Sequence, residues 1–263
     1  MLALVVGAAV VLLRGGEDET QARRDAVAEY IVEVNQTQQT LIIELTSISR
    51  AYRDLELKEK PVPGQLEKVE AAERKLRNLR ARLAKVSTPG EARKLRAELL
   101  RLVDLQSELA QEVSGMVSYI PLQAAENRSY AAATRKLRDG LQGAKDGAAQ
   151  RKVFATYRAA VLASAGRLEQ ASAPAVLQPS RMEEIARLER LAVLAHELDR
   201  ALGAERVEDV NRLFPRLVQT SASTGTTPAE RRAVIAFNRR VRGINAQRSV
   251  VNAERTKLDL ELR

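Results

Sequence analysis

At 263 residues, 45% of them hydrophobic and 29% charged, the chain is long enough for one large or two modest domains, too polar for a polytopic membrane protein and too apolar for a disordered one. Aromatic residues reach only 3%, with no Trp, and Gly and Pro number 13 and 8, which suits helix seams of Leu, Ala and Val better than sheets. Without Cys there are no disulfides, thiolate metal sites or Cys nucleophiles, and a formal net charge of +9 points to an anionic partner.

Leu2 to Leu13 carries no charge. It is short for a membrane span, which takes about 20 apolar residues. No basic segment precedes it, and Arg14-Gly15-Gly16-Glu17 offers no small-x-small cleavage site. Residues 1–16 are therefore read as a signal segment or single-pass membrane anchor whose true start lies upstream. Arg14, Arg23 and Arg24 favour a cytoplasmic body by the positive-inside rule. An apolar stretch ahead of a soluble helical body favours export, and an extracytoplasmic body is the expectation adopted.

From Glu17 to Lys60 there is no Gly or Pro, and Val27, Ile31, Val34, Gln38, Leu41, Leu45, Ile48, Tyr52 and Leu55 alternate in steps of three and four. That spacing is a heptad seam with one polar member, Gln38. Pro61-Val62-Pro63-Gly64 ends this helix. A second helix carries Val69, Ala72, Leu76, Leu79, Leu83 and Val86, and Thr88-Pro89-Gly90-Glu91 reads as the capped start of a third. The third has Leu95, Leu99, Leu102, Gln106, Leu109, Val113 and Met116 in register; Pro121 is expected to kink or end it before a further run to about Arg138. Gly140 to Gly147 is the best linker. Beyond it come a helix over 150–170, a Pro-containing break at 171–179, a helix capped by Ser180 with Leu188, Leu191, Ala195, Leu198 and Leu202, and a short helix over 205–220. After the loop 221–227, Thr227-Pro228-Ala229-Glu230 starts a last helix bearing Val234, Phe237, Val241, Ile244, Val251, Leu258 and Leu262, with Arg248 and Arg255 interrupting its seam.

Three matches recur in the same order: 82–89 with 167–174, 102–109 with 191–198, and 135–141 with 239–244. They suggest two duplicated helical hairpin units. The fold class expected is all-α, an elongated antiparallel helical bundle with coiled-coil-like heptad seams. Its division is residues 17–140 as bundle unit 1, 141–149 as linker and 150–263 as bundle unit 2, with the first and last long helices pairing antiparallel.

The chemistry-bearing residues are sparse. The only His, His196, falls to the side of the Leu191/Leu194/Leu198/Leu202 face and reads as a surface residue. A di-iron bundle site needs two Glu-x-x-His pairs, and zinc sites lack ligands, so no catalytic, metal or cofactor-binding residue is assigned. Lys68, Arg74, Lys75, Arg77, Arg80, Arg82 and Lys85 on the second helix, and Arg231, Arg232, Arg239, Arg240, Arg242 and Arg248 on the last, concentrate positive charge. Of these, Arg74, Arg77, Arg80, Arg239, Arg240 and Arg242 are the candidate partner-binding residues. Nucleic acid is disfavoured because aromatic stacking residues are few. Gln38, within the polar band Asn35 to Thr40, is a candidate register residue or the wall of a ligand pocket. The function expected is a non-enzymatic, membrane-tethered extracytoplasmic interaction or structural bundle, binding a protein or an anionic envelope polymer. Two alternatives stand beside it: a ligand-binding sensory bundle, and a cytoplasmic-facing basic scaffold that binds nucleic acid. Heptad seams serve packing within and between chains equally, so homo-oligomerisation stays open.

Overall fold

In the computed structural model the backbone is described for residues 3–57, 64–222 and 228–262, and the side chains for 20–54, 64–222, 231 and 234–261. The expected break at 61–63, the Thr227 cap and the side chains of Leu55, Arg232 and Leu262 lie outside these residues. Among the described residues there are seven α-helices and no strand: α1 (Ala3–Leu57), α2 (Gln65–Lys85), α3 (Arg93–Gly143), α4 (Gly147–Gln170), α5 (Gln178–Gly203), α6 (Val207–Ser221) and α7 (Pro228–Leu262). The chain is an all-α helical bundle protein.

The helices gather into two compact units. The first takes α1 up to Ala51, α2 from Glu67, α3 up to Gln111 and α7 from Arg239. The second takes α1 from Tyr52, α3 from Glu112, α4, α5, α6 and α7 up to Asn238. The packing thus divides the chain otherwise than at 141–149. Only Ala144 to Asp146 separate α3 from α4, and both ends of the sequence enter the first unit while the second is drawn from 52–66 and 112–238.

In the first unit the leucine seams do what their spacing dictates. Val34, Leu41 and Ile48 of α1 are buried with Leu76 and Leu83 of α2, Leu95, Leu99, Leu102 and Leu109 of α3, and Ile244 and Val251 of α7. Each such side chain removed from water contributes about 1.5–3 kcal/mol. Polar contacts along the seams fix the directions. Glu33 and Glu44 of α1 meet Arg82 and Lys75 of α2, and Asp104 of α3 meets Arg80. Glu98 and Lys94 of α3 meet Gln247 and Glu254 of α7, while Asn35 and Gln38 of α1 meet Arg255 and Asn252. In each pair one number rises as the other falls, so neighbours run antiparallel, including the first and last helices.

The second unit is built on α3, α4, α5 and α6. Phe154, Tyr157, Val161 and Leu168 of α4 pack with Leu188, Leu191 and Leu198 of α5 and with Leu213 and Leu217 of α6. Arg167 forks onto Glu126 at 2.7 Å, joining α4 to α3, and Arg151 meets Asp199 at 2.7 Å, joining α4 to α5. The Tyr52 and Phe237 rings stack with centroids 3.7 Å apart.

One joint occurs in both units. After α2 and after α4 the chain leaves the helix, passes through Pro89 or Pro174 and makes a single 3-10 turn (Gly90–Ala92 or Ala175–Leu177) before the next helix. Arg96 donates back to the Ala84 carbonyl at 2.6 Å, and Arg181 donates to the Glu169 and Ala171 carbonyls at 3.3 and 2.6 Å. Both arginines satisfy carbonyls that a helix C-terminus leaves without an intrahelical donor. Counterparts lie 85 positions apart, and at that offset Val103 and Leu188, Gln106 and Leu191, and Val113 and Leu198 are all buried. The echo of 102–109 with 191–198 is therefore one helical turn out of the structural register, because a leucine seam matches itself nearly as well after a turn.

Several expectations are corrected. No helix among the described residues is long and apolar enough to cross a membrane. The apolar run ends at Leu13, and the same helix continues through Arg14, Glu17, Asp18 and Glu19. The eleven helical residues Ala3 to Leu13 rise about 17 Å, against roughly 30 Å of hydrocarbon. The single-pass anchor over 1–16 is accordingly withdrawn, and the membrane partner and extracytoplasmic placement that hung on it go too. Thr88 caps no helix: Pro89 holds the cap position, and the Thr88 hydroxyl donates to the Val86 carbonyl at 3.2 Å. Ser180 is buried inside α5, which begins at Gln178 with Pro179 in its first turn. Pro121 neither ends α3 nor divides it, since α3 continues to Gly143 with Val117 and Tyr119 buried beside it.

The Arg167 fork, ahead of any other cause, holds the Glu126 carboxyl below the usual carboxylate range, although burial pushes the other way. A carboxyl group depressed on folding stabilises the native state above its ordinary pKa, and that contribution is lost as pH falls through the depressed value. We expect Glu126→Gln to lower the urea midpoint at neutral pH and the gap from wild type to close in acid. A gap that stays constant or widens in acid contradicts this assignment.

Candidate binding surface

The residues from Asn127 to Ala160 hold eight Lys or Arg against two Asp. The second half of α3, a three-residue loop and the first half of α4 fold this segment into an antiparallel hairpin. Asp146 starts α4 by accepting from the Ala149 amide at 2.8 Å, the N-cap bond that a short acidic residue makes well. Close approach of the two helices depends on Gly140. A Cβ there would lie 2.9 Å from a Val153 methyl, so any side chain at this position would press the helices apart.

Between the helices lies a groove of about 560 Å³. Its lining is mostly small or apolar, with Ala132, Ala133, Leu137 and Ala160 among it, and Lys136 and Lys152 stand on opposite walls. No carboxylate lines it. Of the eight hairpin cations, Arg151 pairs with Asp199 and Arg138 lies 3.5 Å from Asp139. Arg128, Arg135, Lys136, Lys145, Lys152 and Arg158 have no ion pair among the described residues, and all six are exposed.

The cations singled out from sequence sit differently. Arg74 pairs with Glu70 at 3.9 Å, Arg77 with Glu73 at 3.1 Å, Arg80 with Asp104, and Arg240 with Glu108 at 3.2 Å. Arg239 and Arg242 are exposed on α7. The fold therefore does not assemble Arg74, Arg77 and Arg80 into a vacant basic face, because carboxylates within α2 and on α3 meet them. Gln38 is buried, its amide nitrogen donating to Asn252 at 2.8 Å and its oxygen accepting from Arg255 at 3.1 Å. Both ends of the amide are taken by α7, which ties the register of α1 to that of α7.

A second polar cluster is buried beneath the hairpin. Arg187 forks onto Glu184 at 2.9 and 2.5 Å and lies 4.4 Å over the Tyr130 ring, whose hydroxyl donates to the Ser221 carbonyl at 2.9 Å. Burial works against the Arg187 cation, but the hydrogen bond and charge of Glu184 outweigh it and its pKa stands above the ordinary arginine value. Burial, followed by the neighbouring Tyr130, pushes the Tyr157 hydroxyl well above the ordinary phenol value, so it stays protonated at neutral pH. His196 is half-buried on α5 and belongs to neither cluster. Among the described residues no group of three or more His, Asp or Glu is placed to hold a metal ion.

Compared with family models, curated proteins and solved structures, the chain gives no match to any of the three.

Removing one member of a buried ion pair leaves the other charge without a partner, which costs about 3–5 kcal/mol, whereas replacing both by apolar residues is often neutral. We expect Glu184→Ala to destabilise the protein by about 3 kcal/mol and Glu184→Met with Arg187→Met to recover most of the loss. Chemical denaturation of the three proteins decides it, and a double variant no more stable than Glu184→Ala would contradict the pairing described.

Proposed function

We propose that the chain is a non-catalytic helical interaction domain that binds an acidic partner, a protein or an anionic polymer, through the α3–α4 hairpin of its second unit. One observation carries this reading: six hairpin cations have no ion pair among the described residues, while the arginines of α2 are matched inside their own unit. Cations already facing carboxylates gain little from a further anion, because the new contact must first displace the old one. Unmatched cations on one hairpin sum their fields and attract anions at long range, an attraction that salt screens over about 10 Å. The large buried side chains of the unit hold the two helices as a fixed platform, so the charges need no ordering on binding.

Poly-glutamate serves as the test anion. Its affinity for the full chain, read by fluorescence anisotropy, should fall steeply as salt is raised. Combining Arg128→Glu, Arg135→Glu and Arg158→Glu should weaken it by about tenfold or more, equivalent to about 1.4 kcal/mol, while Arg74→Glu with Arg77→Glu should change it little. Absence of binding at low salt, or an equal loss from the α2 reversals, would sink the proposal.

A further inference from the structure

We infer that the α3–α4 groove is the seat of an acidic amphipathic helix supplied by a partner protein. The inference rests on the reading of the hairpin as an anion-binding surface and names the form its partner takes. Charge alone asks only for carboxylates, but Lys136 and Lys152 flank an apolar floor, so the groove asks for apolar and acidic groups in one ligand. A small carboxylate would meet those two lysines and leave the apolar floor between them uncovered. An acidic helix answers both, because its apolar row enters the groove while carboxylates on either side of that row reach Lys136 and Lys152.

Dimensions agree. From Ser129 to Gly143 the groove follows α3 for about 21 Å, the length of roughly four helical turns. The small residues that line it keep the walls low, and helices approach one another closely where side chains are small. Apolar anchors at i, i+4, i+7 and i+11 of the incoming helix would lie along the floor, as in other helix-in-groove complexes. A second copy of this chain is a poor occupant, because each copy carries a formal net charge of +9 and the hairpin would face a like-charged surface.

The test uses the full chain and two peptides of about 18 residues, roughly five turns, with one composition of Leu and Glu. One places Leu at i, i+4, i+7 and i+11, and the other scatters the same Leu around the helix. We expect the amphipathic peptide to bind about tenfold or more tightly than the scattered one. Thr156→Trp and Ser129→Trp each put a bulky ring into the groove from an exposed wall position. Each should erase the difference between the peptides and leave poly-glutamate affinity unchanged, with circular dichroism reporting helix content. If the two wild-type affinities are equal while poly-glutamate still binds, the inference fails and the anion-binding reading stands. If neither peptide nor poly-glutamate binds, both fail. Dodecanoate binding that Thr156→Trp blocks, with no preference between the peptides, would overturn the helix in favour of a single-chain amphiphile.

Discussion

Antiparallel helices that share a leucine seam also bring the charges flanking that seam face to face. In the first unit this juxtaposition is used: Glu33 meets Arg82, Glu44 meets Lys75, and Asp104 meets Arg80. Such exposed pairs each contribute at most about 1 kcal/mol to stability. Their larger consequence is registration, because a slip of one helix along the other separates each carboxylate from its cation. The pairs also remove those cations from the protein's dealings with other molecules.

The hairpin of the second unit is where the same rule goes unmet. Residues 127–160 carry eight cations and two carboxylates, one of each in the loop, so the two helices have little opposite charge to offer one another. The segment stays folded because its inner face is buried: Leu137 of α3, and Phe154 and Tyr157 of α4, join the core, and Gly140 allows the helices to close. Apolar burial therefore holds together a surface that electrostatics alone would spread apart. The repulsion among these cations is what an acidic partner would relieve, so the stability of the unit and its affinity for anions are two aspects of one arrangement.

Much of this was legible in residue spacing. The steps of three and four from Val27 to Ile48 mark a seam, and Val27, Ile31, Val34, Gln38, Leu41 and Ile48 are buried in it. Helix starts were harder to read, since Thr88 and Ser180 have the chemistry of caps while Pro89 and Pro179 fix the local backbone. The apolar run before Arg14 is short for a span on the sequence alone, and it was read as an anchor only by supposing that the run starts upstream. At Arg74, Arg77 and Arg80 the sequence shows the charge but not what the fold sets beside it. Positive runs on a single helix carry no record of the carboxylates that a neighbouring helix, or the next turn, sets against them. The shortfall of carboxylates from Arg128 to Arg158, two Asp for eight cations, could be counted in the sequence, but which cations elsewhere find partners needed the fold.

The central claim is that the hairpin cations, rather than the arginines of α2 that already face carboxylates, meet an anionic partner. Amide hydrogen exchange of the full chain, with and without poly-glutamate at low salt, tests it most directly. The account predicts slowed exchange across residues 127–160 and little change at 74–82 or 239–242. Protection centred on α2 or on α7 beyond Arg239, with none in the hairpin, would contradict it.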